Sequence, residues 1–261
     1  MTQPALEPIR ARLGQTLVAL DFDGTLAPIV ERPEDARALP GTADVIAAVA
    51  ARVAMVAVIT GRPAADAVSF AGLTGVPRLA VLGHYGLERW EAGRLETPGE
   101  DAGVGLARRR AVELAAVRPG VVVEDKGHSV ALHTRRAPDP AGALEELTPH
   151  AAAIADEAGL QVTPGRYVLE LRPIGIDKGT ALRALVAETS ASAVLFAGDD
   201  VGDLPAVAVV RELASNDVVG VVVCSDADEA SAELRAQADV VVAGPAGVLD
   251  LLAELAAAPS P

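Results

Sequence analysis

The sequence predicts an α/β fold: a doubly wound parallel sheet core with an inserted, smaller α+β domain. Short apolar segments alternate with helical segments at both ends of the chain, whereas the middle pairs each helical segment with two strand-like segments joined by a turn. Strands that alternate with helices are joined by right-handed crossovers and run parallel. The length of 261 residues is sufficient for such a core and a second domain. We expect the core at residues 1–99 and 173–261 and the inserted domain at residues 100–172.

The first half of the core is predicted from three apolar segments that each end in polar or glycine-containing turns. Apolar runs bounded in this way are typical of buried parallel strands, and the segments between them have helical periodicity. Pro63 suits the first turn of a helix. The expected strands cover residues 17–20, 54–59 and 79–82, and the expected helices cover residues 43–51 and 63–70.

The inserted domain is predicted from a helix and a hairpin that occur twice. Turn residues at 125–128 and 164–166 separate short segments of strand character. We expect helices over residues 104–117 and 139–158, and strands over residues 120–124, 129–134, 160–163 and 167–171.

The second half of the core returns to the alternating pattern. A helix is expected over residues 179–188, and apolar segments at residues 193–197, 220–223 and 239–242 predict three further strands. The single cysteine, Cys224, ends the apolar run Val221-Val222-Val223-Cys224 and is interpreted as a small core residue.

Composition excludes several classes of partner. A formal net charge of -14 disfavours nucleic acids and anionic membranes. Aromatic residues make up only 2% of the chain, so stacking surfaces for bases or sugars are scarce. No apolar segment has the length of an export signal or a membrane helix. We therefore expect a cytoplasmic protein, monomeric by default, whose partner is a small molecule.

Two carboxylates follow the first strand directly. Alternation along an extended chain directs Asp21 and Asp23 to the same side, and Phe22 between them points the other way. Ligands of open α/β sheets bind at this end of the strands. Like charges so close require a shared proton or a hard cation such as Mg²⁺. The alternative is a pair of solvated turn aspartates.

Three more polar clusters follow predicted strands or open a predicted helix. They are Thr60-Gly61-Arg62, Lys178, and the group Asp199, Asp200 and Asp203. Because the carboxyl ends of parallel strands face one way, the four clusters are expected to share a cleft. Phosphoryl transfer requires such a set: a nucleophilic carboxylate surrounded by carboxylates for Mg²⁺, an ammonium group at a helix N-terminus and a hydroxyl. Arg62 equally suits a helix cap or a carboxylate pair in the core.

These four clusters resemble the motifs of the haloacid dehalogenase superfamily of phosphatases, in the same order along the whole chain. The resemblance implies that Asp21 is the nucleophile and that Asp23 is the general acid and then the general base. It also implies that Mg²⁺ is held by Asp21, Asp23 through its carbonyl, and Asp199, with Asp200 and Asp203 in support. The implied phosphate-binding residues are Thr60, Gly61, Arg62 and Lys178.

Within this superfamily the chain is most similar to the trehalose-6-phosphate phosphatases. The similarity lies in Gly83-His84-Tyr85-Gly86-Leu87-Glu88, Val123-Glu124-Asp125-Lys126, Leu132-His133 and Leu169-Glu170-Leu171-Arg172-Pro173. It implies that the inserted domain binds the sugar through Glu124, Lys126 and Glu170, with His84 and His133 as further candidates. From the residues alone, Glu124 and Lys126 equally form an exposed ion pair, Glu170 an ordinary solvent face, and the two histidines structural contacts.

One motif departs from this family. The fourth motif continues as Asp199-Asp200-Val201-Gly202-Asp203-Leu204, where the family usually has Thr-Asp-Glu after the paired aspartates. The departure leaves the sugar open. Phosphatases of sucrose, glucosylglycerate or aminocyclitol phosphates remain alternatives to a trehalose 6-phosphate phosphatase, as do a phosphomutase and a non-catalytic sugar-phosphate sensor.

Overall fold

The structure is a computed structural model that describes residues 4–99, 101–227 and 230–257. The strands of the described residues are β1 (Thr16–Leu20), β2 (Met55–Ile59), β3 (Leu79–Gly83), β4 (Glu88–Glu91), β5 (Arg94–Glu96), β6 (Val122–Asp125), β7 (Val130–His133), β8 (Leu160–Gly165), β9 (Val168–Pro173), β10 (Ala193–Gly198), β11 (Val219–Ser225) and β12 (Val240–Val242). Their helices are α1 (Glu7–Arg10), α2 (Thr42–Ala50), α3 (Ala64–Ala71), α4 (Ala102–Ala116), α5 (Pro140–Ala158), α6 (Lys178–Thr189), α7 (Leu204–Ala214), α8 (Ala232–Gln237) and α9 (Gly244–Ala257). Within these ranges, no helix is long and apolar enough to cross a membrane.

The chain divides into two compact units. The core unit comprises the residues up to Thr97 and those from Asp177 onward, and the inserted unit comprises Pro98–Ile176. The predicted limits of the insertion were residues 100 and 172, of which Glu100 lies outside the described residues. At the other end the limits differ because β9 continues to pair with β8 as far as Pro173, opposite Leu160.

The core unit contains an eight-stranded sheet in the order β12-β11-β10-β1-β2-β3-β4-β5. The first six of these strands are parallel, and β1 lies between β10 and β2, with Leu20 opposite Ala197 and Val58. Every residue of β1, β2, β3 and β10 is buried, and a hydrophobic cluster covers each face of the sheet. Burial on both faces explains why these strands are continuous apolar runs in the sequence.

One edge of this sheet was not predicted. The hairpin of β4 and β5 adds two antiparallel strands beside β3, so the sheet is not wholly parallel. The hairpin turns at Ala92 and Gly93, whose φ values of 49° and 80° are both positive. Trp90 is buried while its neighbours Arg89 and Glu91 are half-buried. A single apolar side chain in so short a polar strand gives too weak an alternation to indicate a strand.

The inserted unit is an antiparallel sheet in the order β6-β7-β9-β8, with two helices against one face. Alternate residues of β7 and β9 join the apolar cluster with α4 and α5, among them Leu132 and Leu171. The residues between them, including Glu170, point to the opposite face. The unit therefore presents one polar face of its sheet away from its helices, as an α+β domain predicted from two helices and two hairpins should.

Candidate active site

Three polar side chains stand in a row at the carboxyl ends of adjacent core strands. Asp199 follows β10, Asp21 follows β1 and Thr60 follows β2. The strand ladder continues through Asp21 and Thr60, because the Asp21 N–H donates to Ala197 O at 2.9 Å and the Thr60 N–H donates to Leu82 O at 3.0 Å. All three side chains are buried. The sheet itself thus brings together residues far apart in the chain.

Lys178 joins this row from the first turn of α6. The Asp177 side chain caps that helix by accepting the Thr180 N–H at 2.7 Å. The Lys178 ammonium donates to a carboxylate oxygen of Asp21 and to Asp203 Oδ1, the latter at 2.7 Å. These three charged side chains are buried together. A buried ammonium between two carboxylates is held firmly, because separating it from either one would leave an uncompensated charge.

Asp203 links the lysine to the loop that follows β10. Its Oδ2 accepts the N–H of Asp199 at 2.9 Å and the N–H of Asp200 at 3.1 Å, while its Oδ1 binds Lys178. Both oxygens of Asp203 are therefore occupied, and the carboxylate orients Lys178. The exposed Asp200 carboxylate accepts the N–H of Val201 at 2.5 Å and closes the short 3₁₀ turn after β10.

Burial and mutual repulsion perturb the ionisation of this cluster. Burial raises the pKa of Asp21 to about 7, although Lys178 acts in the opposite direction. Burial, followed by the charge of Asp21, raises the pKa of Asp199 to about 9. For Lys178, burial lowers the pKa, but the charges of Asp203 and Asp21 outweigh it and the pKa is raised overall. Negative charge at Asp21 and Asp199 is thus costly without a further cation.

The donor set fits a hard divalent cation. One oxygen each from Asp21, Asp199 and Asp203 lie within 4.8 Å of one another. Among the described residues, the buried Asp199 Oδ1 has no hydrogen-bond partner. A buried carboxylate oxygen without a donor is costly, and a Mg²⁺ ion would satisfy it with the oxygen ligation it prefers.

Gly24 lies directly against Asp199. It has φ = 74°, and a Cβ at this position would lie 2.0 Å from Asp199 Oδ2. Its carbonyl accepts a hydrogen bond of 2.6 Å from the buried hydroxyl of Ser225, at the end of β11. Ser225 gave no signal in the sequence, where it ends an apolar strand. The glycine is required both for the backbone conformation and for the close approach.

Arg62 binds the second carboxylate of the first motif. Its Nε and Nη2 donate to Asp23 Oδ2 and Oδ1, both at 2.7 Å, and its Nη1 donates to Pro33 O at 2.7 Å. The guanidinium also lies over the rings of Phe22 and Phe70, at 5.4 and 5.5 Å from their centroids. Of the two interpretations left open for Arg62, these contacts favour a carboxylate pair over a helix cap.

The remaining core candidates have internal contacts. Thr60 Oγ1 accepts the N–H of Arg62 at 3.1 Å. The buried His84 has its Nε2 at 3.8 Å from Glu88 Oε1, and the other carboxylate oxygen of Glu88 accepts the Ala64 N–H at 2.7 Å. The role of His84 in substrate binding therefore stays a prediction, since its described contact is within the core unit.

The polar face of the inserted unit carries two contact groups. His133 Nε2 and Glu124 Oε2 are 2.8 Å apart, and Lys126 Nζ lies 3.6 Å from Glu170 Oε1. The Ser129 hydroxyl donates to the same Glu170 oxygen at 2.5 Å. Ser129 begins a predicted strand, and nothing in its sequence context indicates a contact with Glu170. Glu170 is buried, so an exposed solvent face does not describe it.

The chain matches one family model and several curated proteins. The family model described as Trehalose-phosphatase matches residues 19–240. An uncharacterized glycosyl hydrolase of Mycobacterium tuberculosis is 37% identical over 207 residues, which cover 74% of this chain and 15% of that protein. The trehalose-phosphate phosphatase of Mycobacterium avium is 35% identical over 207 residues, covering 74% of this chain and 51% of that protein.

A solved structure shares the fold across both units. The C-terminal domain of the Candida albicans trehalose-6-phosphate phosphatase matches 98% of this chain and 97% of its own length, with a TM-score of 0.79 and 20% identity. The predicted fold class is confirmed. The chain spans about half the length of the curated phosphatase and a smaller part of the glycosyl hydrolase.

Proposed function

We propose that this chain, which belongs to the trehalose-phosphatase family, hydrolyses trehalose 6-phosphate to trehalose and phosphate. The observation that supports this best is the buried cluster of Asp21, Lys178, Asp203 and Asp199 at the carboxyl ends of the core strands. It combines a carboxylate nucleophile, a cation for phosphate oxygens and ligands for a metal in one place. The family resemblance predicted from the sequence is confirmed by the family match, whereas the roles below are our proposals.

Mg²⁺ is the proposed cofactor, and the buried carboxylates of Asp21 and Asp199 described above fit it. Asp21, Asp199 and the backbone carbonyl of Asp23 would hold the ion, and Asp203 would keep Lys178 in place. When bound, Mg²⁺ supplies positive charge that offsets the repulsion between Asp21, Asp199 and the substrate phosphate.

In the first chemical step, a carboxylate oxygen of Asp21 attacks the phosphorus atom and forms an aspartyl phosphate. The bond between phosphorus and the sugar oxygen breaks, and that oxygen takes a proton from Asp23. Lys178 and Thr60 donate hydrogen bonds to the phosphoryl oxygens. The resemblance implies that Gly61 and Arg62 bind phosphate; because the Arg62 guanidinium holds the carboxylate of Asp23, we propose a positioning role for Arg62.

In the second step, Asp23 accepts a proton from a water molecule that attacks the same phosphorus. The bond between phosphorus and the Asp21 oxygen breaks, which releases inorganic phosphate and restores the nucleophile. Asp23 acts first as the general acid and then as the general base, because it has lost its proton in the first step and the second step resembles the first in reverse.

The inserted unit is proposed to recognise the sugar. Glu124, Lys126 and Glu170 present acceptors and donors, which match the hydroxyl groups of a polyol without aromatic stacking. The contact with His133 fixes the carboxylate of Glu124 and gives His133 a supporting role.

A panel of sugar phosphates tests the substrate. We expect phosphate release from trehalose 6-phosphate to exceed that from sucrose, glucosylglycerate and aminocyclitol phosphates in kcat/KM. A tenfold advantage for another member of the panel would replace the substrate and leave the chemistry intact. Transfer of the phosphoryl group to a second sugar hydroxyl would indicate a phosphomutase.

Asp21→Asn tests the nucleophile. This variant should bind the sugar phosphate and unfold as cooperatively as the wild type, but release no phosphate. Binding without turnover by the wild-type chain itself would indicate a sugar-phosphate sensor and contradict the proposed activity.

A further inference from the structure

The turn that follows β3 has an unusual backbone. His84 and Tyr85 are consecutive non-glycine residues with φ values of 47° and 60°. Non-glycine residues rarely adopt this left-handed region, and such a costly conformation persists only where the surrounding structure enforces it. Such residues cluster at functional sites.

Hydrogen bonds fasten this turn to the phosphate-binding loop. The His84 N–H donates to Arg62 O at 3.0 Å, and the Tyr85 N–H donates to Thr60 O at 2.9 Å. Both amide groups of the left-handed pair are therefore satisfied by residues of the Thr60-Gly61-Arg62 loop. The position of the Tyr85 side chain is set by the same loop that carries the phosphate-binding hydroxyl.

The phenol ring of Tyr85 lies against Gly61. A Cβ at Gly61 would be 2.7 Å from the Tyr85 hydroxyl oxygen and 2.8 Å from Cζ. Gly61 is not in the positive-φ region, so the need for glycine here is one of space. The missing side chain allows the phenol, with its hydroxyl, to reach the residue next to Thr60.

Successive strands each contribute one polar group to this edge of the sheet. β10 provides Asp199, β1 provides Asp21 and β2 provides Thr60. β3 is the next strand in the sheet, and Tyr85 lies two residues beyond its end, after the buried His84. A phosphate monoester presents several anionic oxygens, and a hydroxyl is a donor that suits them.

We propose that Tyr85 is a phosphate-binding residue, whose hydroxyl donates a hydrogen bond to a phosphoryl oxygen of the substrate beside Thr60. The inference rests on the proposed function, since it presumes that a phosphate group occupies this end of the sheet. It explains why the strained turn is fastened to the loop and why position 61 has no side chain.

Tyr85→Phe tests this role because it keeps the ring over Gly61 and removes only the hydroxyl. The probe is inorganic phosphate, titrated calorimetrically into the protein with Mg²⁺ present. Removing a hydrogen bond from a neutral donor to a charged group lowers the affinity by about 10-fold or more. We therefore expect Kd to rise about 10-fold, with Tm unchanged.

Tyr167→Phe is the matched control. Tyr167 is the other tyrosine of the chain, and it too has φ = 60°, in the turn between β8 and β9 of the inserted unit. Its phosphate affinity should equal that of the wild type. A Tyr85→Phe affinity within twofold of the wild type would overturn the proposal.

The two proposals fail differently. If the wild-type chain binds phosphate and hydrolyses a member of the panel, an unchanged Tyr85→Phe affinity refutes only the role of Tyr85. If the wild-type chain neither binds phosphate nor releases it from any sugar phosphate, the proposed function itself is refuted.

Discussion

Replacing Asp199 with asparagine should make the metal-free protein less sensitive to alkaline pH. The pKa of Asp199 is about 9 in the folded protein and 3.8 for the ordinary group. Between these values the folded state retains a proton that the unfolded chain has lost. Stability from this group is therefore complete below about pH 4 and falls as the pH rises towards 9.

The magnitude follows from the interval between the two pKa values. Each pH unit inside it corresponds to about 1.36 kcal/mol. Raising the pH from about 5.5 to about 7.5 should therefore lower the free energy of unfolding by at most about 3 kcal/mol through Asp199 alone. Asp199 is 2% exposed, so solvent does not screen this effect appreciably. Asparagine has nearly the same shape and carries no such charge.

Urea unfolding with a chelator present measures the effect. The single tryptophan, Trp90, is buried in β4 and reports on the core unit by fluorescence. The wild type should lose more stability than Asp199→Asn between the two pH values, and Mg²⁺ should restore it most at the higher pH, where protons compete least. The exposed Asp250→Asn on α9 is the matched control and should behave as the wild type. Equal losses in the wild type and Asp199→Asn would refute the reasoning.

Three further substitutions test separate parts of the site. Gly24→Ala should abolish Mg²⁺ binding in calorimetry, because a Cβ 2.0 Å from Asp199 Oδ2 must displace that carboxylate; wild-type affinity would contradict this. Arg62→Gln should lower kcat for a sugar phosphate by about 10-fold, because its leaving oxygen needs the proton that Asp23 is proposed to supply. The same variant should lower the initial burst from p-nitrophenyl phosphate much less, because nitrophenolate leaves without that proton. Equal losses with both substrates would contradict the positioning role of Arg62. Glu124→Gln should raise KM for trehalose 6-phosphate by about 10-fold and leave p-nitrophenyl phosphate hydrolysis unchanged, and equal effects on both substrates would argue against sugar binding.

Strands could be predicted from the sequence where every residue of the strand is buried. Runs such as β1 and β10 are apolar throughout because both faces of the sheet are covered, and each ends where the chain becomes polar. The carboxylates that follow them could therefore be assigned to one edge of the sheet. The hairpin of β4 and β5 escaped prediction because its strands are short and largely polar.

The partners of the site residues were less predictable than their identities. That Asp203 binds Lys178 and two amide groups depends on how the turn after β10 meets the first turn of α6. That Arg62 holds Asp23 depends on a loop 39 residues away in the chain. Such pairings are set by tertiary packing, which periodicity and motif spacing do not encode.

The central pairing of β1 with β10 has a consequence for how the protein acquires new specificity. These strands are neighbours although the whole inserted unit, about 80 residues by its limits, lies between them in the chain. The entropy of closing a loop grows only with the logarithm of its length, by about 0.6 kcal/mol per doubling. Exchanging the insertion for one of half or twice its size would therefore cost the core little. The proposed catalytic residues can stay fixed while evolution replaces the unit that we propose recognises the sugar.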